Sequence, residues 1–299
     1  MYEKERGNNM KKMMTKLAVI FALILMVVPM NLASAKTLEQ IKEEGKLVVG
    51  TSADYPPFEW VILDENGDSK IVGIDVDIAQ LIADEIGVEL VMEDMPFDSL
   101  IPSVISGRID MTIAGMTYTE ERAKQIDFSE QYHQSVSNFV VLAGEEGKYT
   151  KVEDFDGLKI GVQKGTVQEQ MVTENLPNAE VVSMQKTGLL IEALKTNKVD
   201  AIFIDDIVTI EFVAVNEGQI AVVADVVFEN PEQGKAIALA KDNKELLELV
   251  NKVVLEAIES GKITEFIEAN VSLQASSNEE SDEEGSDEET AEESEEDSE

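Results

Sequence analysis

The chain has no cysteine, one histidine and one tryptophan in 299 residues, and its 24 Lys and Arg face 61 Asp and Glu. Without cysteine there is no disulfide, no thiol chemistry and no lipid-modified N-terminal cysteine. The single histidine, His133, has no neighbouring cysteine or spaced carboxylates, so a structural or surface role is expected and no metal site. A formal charge of −37 argues against nucleic acid or an anionic lipid surface as partner, because either needs a basic face. A G-x-S-x-G elbow, a P-loop and a G-x-G-x-x-G dinucleotide turn are also missing.

Both ends differ from the middle. Lys11, Lys12 and Lys16 precede an apolar run from Leu17 to Met30, and Ala33-Ser34-Ala35 follows with the A-x-A pattern of a cleavage site. The run holds Pro29 and falls short of the ~20 residues that a spanning helix needs. Residues 1–35 are therefore expected to be an export signal cleaved after Ala35, with an uncleaved anchor as the alternative. Ser276–Glu299 carries 14 carboxylates and no apolar residue larger than Ala291, so it is expected to be a disordered, solubilising extension. Metal or a basic wall component is the alternative target for it. The remainder still stands at −23 of the total −37, acidic in its own right.

Between these ends, short apolar runs alternate with helical patterns, which is the signature of an α/β architecture. The spacing predicts strands at Leu47–Gly50, Ile71–Ile74, Val88–Met92 and Ile109–Ala114, with helices at Val76–Ile86 and Ser99–Ile105. The pattern then restarts: strands Leu158–Val162, Glu180–Ser183 and Val199–Ile204, with helices Thr166–Glu174, Gly188–Lys195 and Ile207–Val215. Strand Ala236–Ala240 and helices Lys244–Ser260 and Thr264–Asn270 close it. LIPSVISGRIDMTIAG (Leu100–Gly115) sits over LIEALKTNKVDAIFID (Leu190–Asp205) at a constant offset of ninety residues. Two similar lobes are a better account than one long sheet.

The candidate site lies at strand ends, where open α/β sheets bind ligands. In GRIDMTIAGMTYTEER (Gly107–Arg122), a buried strand turns at Gly115, and Thr117 and Thr119 open a helix carrying Arg122. Backbone N–H groups plus a guanidinium at such a corner suit a carboxylate. In KVDAIFIDD, Asp205 stands where the first half has Gly115. An anion corner facing a carboxylate suits a zwitterion, for which a free amino acid is the commonest choice. Each residue also has a plainer reading. Arg122 could pair with Glu120 or Glu121, Asp205 and Asp206 could cap the following helix, and Phe97 could pack on its own helix. Gly161–Thr166 could be an ordinary turn. In DYPPFEW, Tyr55 is expected to wall the cleft, with Phe58 and Trp60 in the core.

Taken in order, KLVVGTSADYPPFEW, VGIDVDIAQLIA, FDSLIPSVISGRIDMTIAGMTYTEERAKQIDFS, LKIGVQKGT and VDAIFID resemble the extracytoplasmic solute-binding proteins of polar amino-acid ABC transporters, family 3. The resemblance runs from about Gly45 to Ala269. It implies a periplasmic-binding-protein-like α/β fold of two lobes, with an interlobe cleft and two hinge strands, Gln131–Val136 and Glu229–Gln233. The first lobe would be 46–131 with 234–275, and the second 137–228. By motif position Arg122 would clasp the ligand carboxylate with the Thr117 N–H and backbone donors at Thr166 and Val167. Asp205, the Gly115 carbonyl and the Thr117 hydroxyl would take the α-ammonium. Tyr55 and Phe97 would sandwich the side chain, Ser52 and Gln163 would touch its far end, and Ala114 and Met116 complete the set. Ser52 departs from members that carry Asp there, and the anchoring cysteine of many Gram-positive members is missing. The resemblance implies no cofactor and no enzyme activity. It implies a monomer whose partners are a free amino acid and a membrane permease, at the periplasmic or extracellular face. An enzyme on the same scaffold, such as a cyclohexadienyl dehydratase-like lyase using Glu120, Glu121 or Asp98 as general acid, is the alternative. A sensor that only docks a partner is a third reading.

Overall fold

The computed structural model describes residues 35–64, 66–228 and 234–276. The export-signal reading of residues 1–34, the hinge at Glu229–Gln233 and the tail beyond Ser276 lie outside the described residues.

The described chain builds two five-stranded sheets and one small three-stranded sheet. Helix α1 (Leu38–Glu44), which has no counterpart among the expected elements, starts with a capping box between Thr37 and Gln40. In the first sheet, β1 (Lys46–Thr51) runs parallel to β5 (Glu89–Asp94) on one side and β6 (Met111–Thr112) on the other. Strand β13 (Ala238–Ala240) then pairs antiparallel with β6 and with β7 (Ile126–Phe128). The second sheet repeats the plan. Here β9 (Lys159–Gln163) is parallel to β10 (Glu180–Met184) and β11 (Ala201–Asp205). Strand β8 (Ser137–Leu142) pairs antiparallel with β11 and with β12 (Ile220–Phe228). Each sheet, with the helices on it, makes one lobe.

The ninety-residue offset carries over to the helix bounds, the turn and the aspartate that follows it. Helices α3 (Phe97–Ile105) and α6 (Thr187–Lys195) both span nine residues and both end in a left-handed turn, at Gly107 (φ 70°) and Asn197 (φ 56°). Three residues on, Asp110 donates its N–H to the Val48 carbonyl and accepts the Val48 N–H on its carboxylate, both at 2.8 Å. Asp200 does the same to Lys159, again at 2.8 Å. One carboxylate in each lobe thus fixes the register of the central parallel pair.

Unbroken apolar runs explain the parallel strands, whose two faces are both covered. Leu47, Val49, Ile160, Val162, Ile202 and Phe203 are almost fully buried, each contributing ~1.5–3 kcal/mol of burial. Helix α2 (Ile74–Ile86) turns Ile78, Ile82 and Ile86 inward at four-residue spacing and stops at Gly87. Helix α8 (Lys244–Glu259) buries Leu246, Val250, Val253 and Ala257.

Four expectations need correction. Only 111–112 of Ile109–Ala114 is ladder; at its start the Val48 N–H bonds the Asp110 carboxylate in place of a backbone carbonyl. DYPPFEW, where no strand is expected, contributes to an antiparallel sheet of β2 (Asp54–Tyr55), β3 (Glu59–Leu63) and β4 (Ser69–Val72). Strands β7, β8 and β12 have no counterpart among the expected elements. The last helix, α9, covers 262–276 rather than Thr264–Asn270.

Candidate functional site

Strand ends from both sheets meet at a cavity lined by Tyr55, Phe97, Ala114, Gly115, Thr117, Arg122, Gln163, Thr166, Val167, Gln168, Asp205 and Lys235. The space left among them is about 10 Å³, room for about one water. The lobes are therefore closed on each other.

On the first lobe, Gly115 takes φ 52°, and a Cβ there would lie 3.3 Å from the Tyr55 ring. Its N–H donates to Asp75 at 2.6 Å, and the Tyr132 hydroxyl donates to the other Asp75 oxygen at 2.8 Å. Burial raises the Asp75 carboxyl to about 6. Glu59 is fully buried beside it, and burial together with the Asp75 charge pushes its carboxyl well above the ordinary range. Two buried carboxyls side by side each favour the neutral form, and Glu59 the more strongly. This pair braces the turn from below.

Arg122 rides on a single turn, α4 (Glu120–Ala123), whose N-cap Thr119 accepts the Arg122 N–H at 3.1 Å. Its guanidinium donates to the Thr117 carbonyl and, across the cleft, to the Gly165 carbonyl at 2.9 Å. It lies 5.5 Å from the centre of the Phe97 ring, within cation–π range. Desolvation lowers it to about 10, which leaves it cationic at neutral pH. Among the described residues it forms no ion pair, so the Glu120 or Glu121 alternative does not hold. Gly165 (φ +80°) brings the lobes together: a Cβ would sit 2.9 Å from that of Asp98.

On the second lobe, Asp205 occupies the N-cap position of α7 (Asp206–Val215) but makes no capping bond. Its side chain turns into the cleft. One oxygen accepts from the Tyr55 hydroxyl at 2.8 Å and from the Lys235 ammonium. The other accepts from Gln168 at 2.8 Å, Ser135 at 3.2 Å and Ser137 at 3.5 Å. Lys235 also donates to the Thr117 hydroxyl at 3.1 Å. Thr166 caps helix α5 (Val167–Asn175) and donates its hydroxyl to the Gln163 carbonyl at 2.7 Å.

Ten of the twelve residues expected at the site therefore line one cavity. Ser52 and Met116 do not. Ser52 is buried under the β1–β2 turn, its hydroxyl directed to Asp54 at 3.4 Å. Met116 is fully buried in the apolar cluster with Ile126 and Ala238, and only its carbonyl is used, by the Ala236 N–H at 2.9 Å. Gln168 and Lys235 line the cavity without having been expected. A lone lysine entering the apolar run KAIALA was the available signal for Lys235. His133 is partly buried against the Phe58 ring edge at 5.5 Å and accepts the Lys235 N–H on its carbonyl, a structural place.

Residues 47–271 match the description "Bacterial extracellular solute-binding proteins, family 3". The chain belongs to that family. This solute-binding protein is 36% identical to the arginine-binding extracellular protein ArtP of Bacillus subtilis, over 73% of this chain and 83% of that one. It is 31% identical to the L-cystine-binding protein TcyJ of Escherichia coli, over 78% of this chain and 85% of that one. Among solved structures it is similar to the amino acid ABC transporter substrate-binding protein AbpA of Streptococcus pneumoniae bound to L-arginine. That likeness has TM-score 0.76 at 39% identity, over 79% of this chain and 98% of that chain. Family membership places the solute-binding protein outside the cytoplasm. Its relatives are named for binding and not for catalysis.

Proposed function

We propose that this protein is the exported receptor of an ABC importer, capturing a free amino acid between its lobes and delivering it to the membrane permease. The observation that carries this is a single cavity holding an unpaired guanidinium from one lobe and a carboxylate from the other. ArtP and TcyJ are named for arginine and cystine, two ligands whose side chains differ and whose α-carboxylate and α-ammonium do not. Arg122 then receives the carboxylate, with the Thr117, Thr166 and Val167 N–H groups. Asp205, the Gly115 carbonyl and the Thr117 hydroxyl receive the ammonium. Phe97 and Tyr55 border the side chain, and Gln163 meets its end.

The lobes that close are 46–131 with 234–275, and 137–228, moving about hinges at 131–136 and 229–233. Export follows the signal of residues 1–35, with cleavage after Ala35, and the protein acts as a monomer. The lyase reading draws no support, since none of Asp98, Glu120 and Glu121 lines the cavity. Asp98 instead pairs with Lys164 at 2.9 Å. Titration calorimetry with the common amino acids tests the proposal. At least one should bind with a dissociation constant in the micromolar range or below, whereas binding of none would reject it.

A further inference from the structure

Asp205 has no acceptor capacity to spare. Its two oxygens take five donors, from Tyr55, Lys235, Gln168, Ser135 and Ser137, and a carboxylate offers about four lone-pair positions. The charge among these donors belongs to Lys235, which is 1% exposed. Its main chain is pinned: the N–H donates to His133 at 2.7 Å and the carbonyl accepts from Tyr132 at 2.9 Å. Only the side chain is free to reposition. The ammonium spans the cleft from the first lobe to Asp205 on the second and bonds Thr117 on the way. Asp205 and Thr117 are the two side chains to which the proposed function gives a ligand ammonium. Arg122, by contrast, makes no ion pair among the described residues. The closed cleft is thus filled at its cationic pole and unfilled at its anionic one.

We propose that Lys235 sets the affinity and specificity of the cleft as a tethered occupant of its ammonium position. An amino acid then enters only by replacing the Lys235 ammonium at Asp205 and Thr117 with its own. Glu59 and Asp75 both feel the Lys235 charge, and among the described residues Glu59 meets no N–H or hydroxyl donor, which leaves it able to receive the displaced ammonium. If only a fraction of molecules has Lys235 withdrawn, the apparent affinity falls by that fraction. Removing the ammonium removes the loss. A carboxylate without an α-ammonium needs no such exchange and gains nothing from it.

This inference rests on the amino-acid reading, and the experiment separates the two. Wild type and Lys235→Met are titrated calorimetrically with arginine, histidine, cystine and the other common amino acids, and with the deaminated analogue of whichever binds. The variant should bind the amino acid about ten-fold or more tightly, with no gain for the analogue. Unchanged or weaker amino-acid affinity overturns the proposal. In parallel, the absence of cysteine allows paired labels at Gln80→Cys and Asn178→Cys, exposed sites on opposite lobes. Without ligand, the label separation should increase in Lys235→Met, because the charge latch is gone. If neither protein binds any amino acid, the amino-acid reading fails. The label separation then decides the Lys235 proposal, with opening in its favour and an unchanged distance against it. Should Lys235→Met not fold, Lys235→Gln keeps a donor without the charge and carries the same expectations.

Discussion

In the first lobe, the repeated helix–turn–strand unit ends at Ala114-Gly115 and leads on to Arg122; in the second it ends at Ile204-Asp205. The supports are the same in kind, down to Asp110 and Asp200 clasping the neighbouring strand. The tips are opposite. The first presents a guanidinium held by two carbonyl groups and the Phe97 ring, with no ion pair among the described residues, whereas the second presents a carboxylate saturated by the protein's own donors. One scaffold therefore supplies a corner whose charge waits for a partner and a corner whose charge already has one. That difference separates residues that act in binding from residues that also hold the unliganded protein together.

The contrast is sharpest at Asp205. Asp205→Asn leaves the buried Lys235 without its counter-ion, which should cost ~3–5 kcal/mol of unfolding free energy and show as a large fall in Tm without ligand. The same variant should weaken amino acids more than their deaminated analogues. Arg122→Ala should do the reverse. Its Tm without ligand stays within a few degrees, and amino-acid affinity drops by ~2–5 kcal/mol, about 30-fold or more by calorimetry. Equal stability losses in the two variants would break the comparison.

The acid pair beneath Gly115 gives a pH test. Asp75, raised from 3.8 to about 6, and Glu59, raised well above 4.5, hold protons in the folded state that the unfolded chain has released. Stability from these groups is thus greatest below pH 4 and is lost as pH rises. Asp75 stops contributing to the slope above about 6, while Glu59 extends the loss to higher pH, at about 1.4 kcal/mol per pK unit. Denaturant melts at pH 4.5 and 7.5 should show the wild type more stable at the lower value, with a smaller difference in Glu59→Gln. The smallest effect falls on the twin clasps. Asp110→Ala, at a site 2% exposed, should cost ~1–3 kcal/mol by denaturant melts. Asp200→Ala, at an exposed site, should cost less.

Much of this was legible in the residues because local pattern and tertiary role coincide. The Asp at the same place in each repeat, the glycine at the turn and the basic residue one helical turn on all follow from strand-to-helix geometry. The short strands β2 and β7 were not legible, because with two and three residues they carry almost no periodic signal, whereas β13 falls within the expected strand Ala236–Ala240. Lys235 escaped for a different reason. A lysine near a hinge reads as solvated, and its burial depends on Asp205 arriving from thirty residues away in the chain and from the opposite lobe. Met116 errs the other way: it sits between two cleft residues in sequence, yet past the Gly115 turn its side chain packs into the core.

The most direct test of the central claim is a crystal structure of the protein with its amino acid bound. The account predicts the ligand carboxylate on the Arg122 guanidinium and the ligand ammonium on Asp205, one from each lobe. A ligand whose carboxylate lies away from Arg122, or whose two charged groups contact a single lobe, would contradict it.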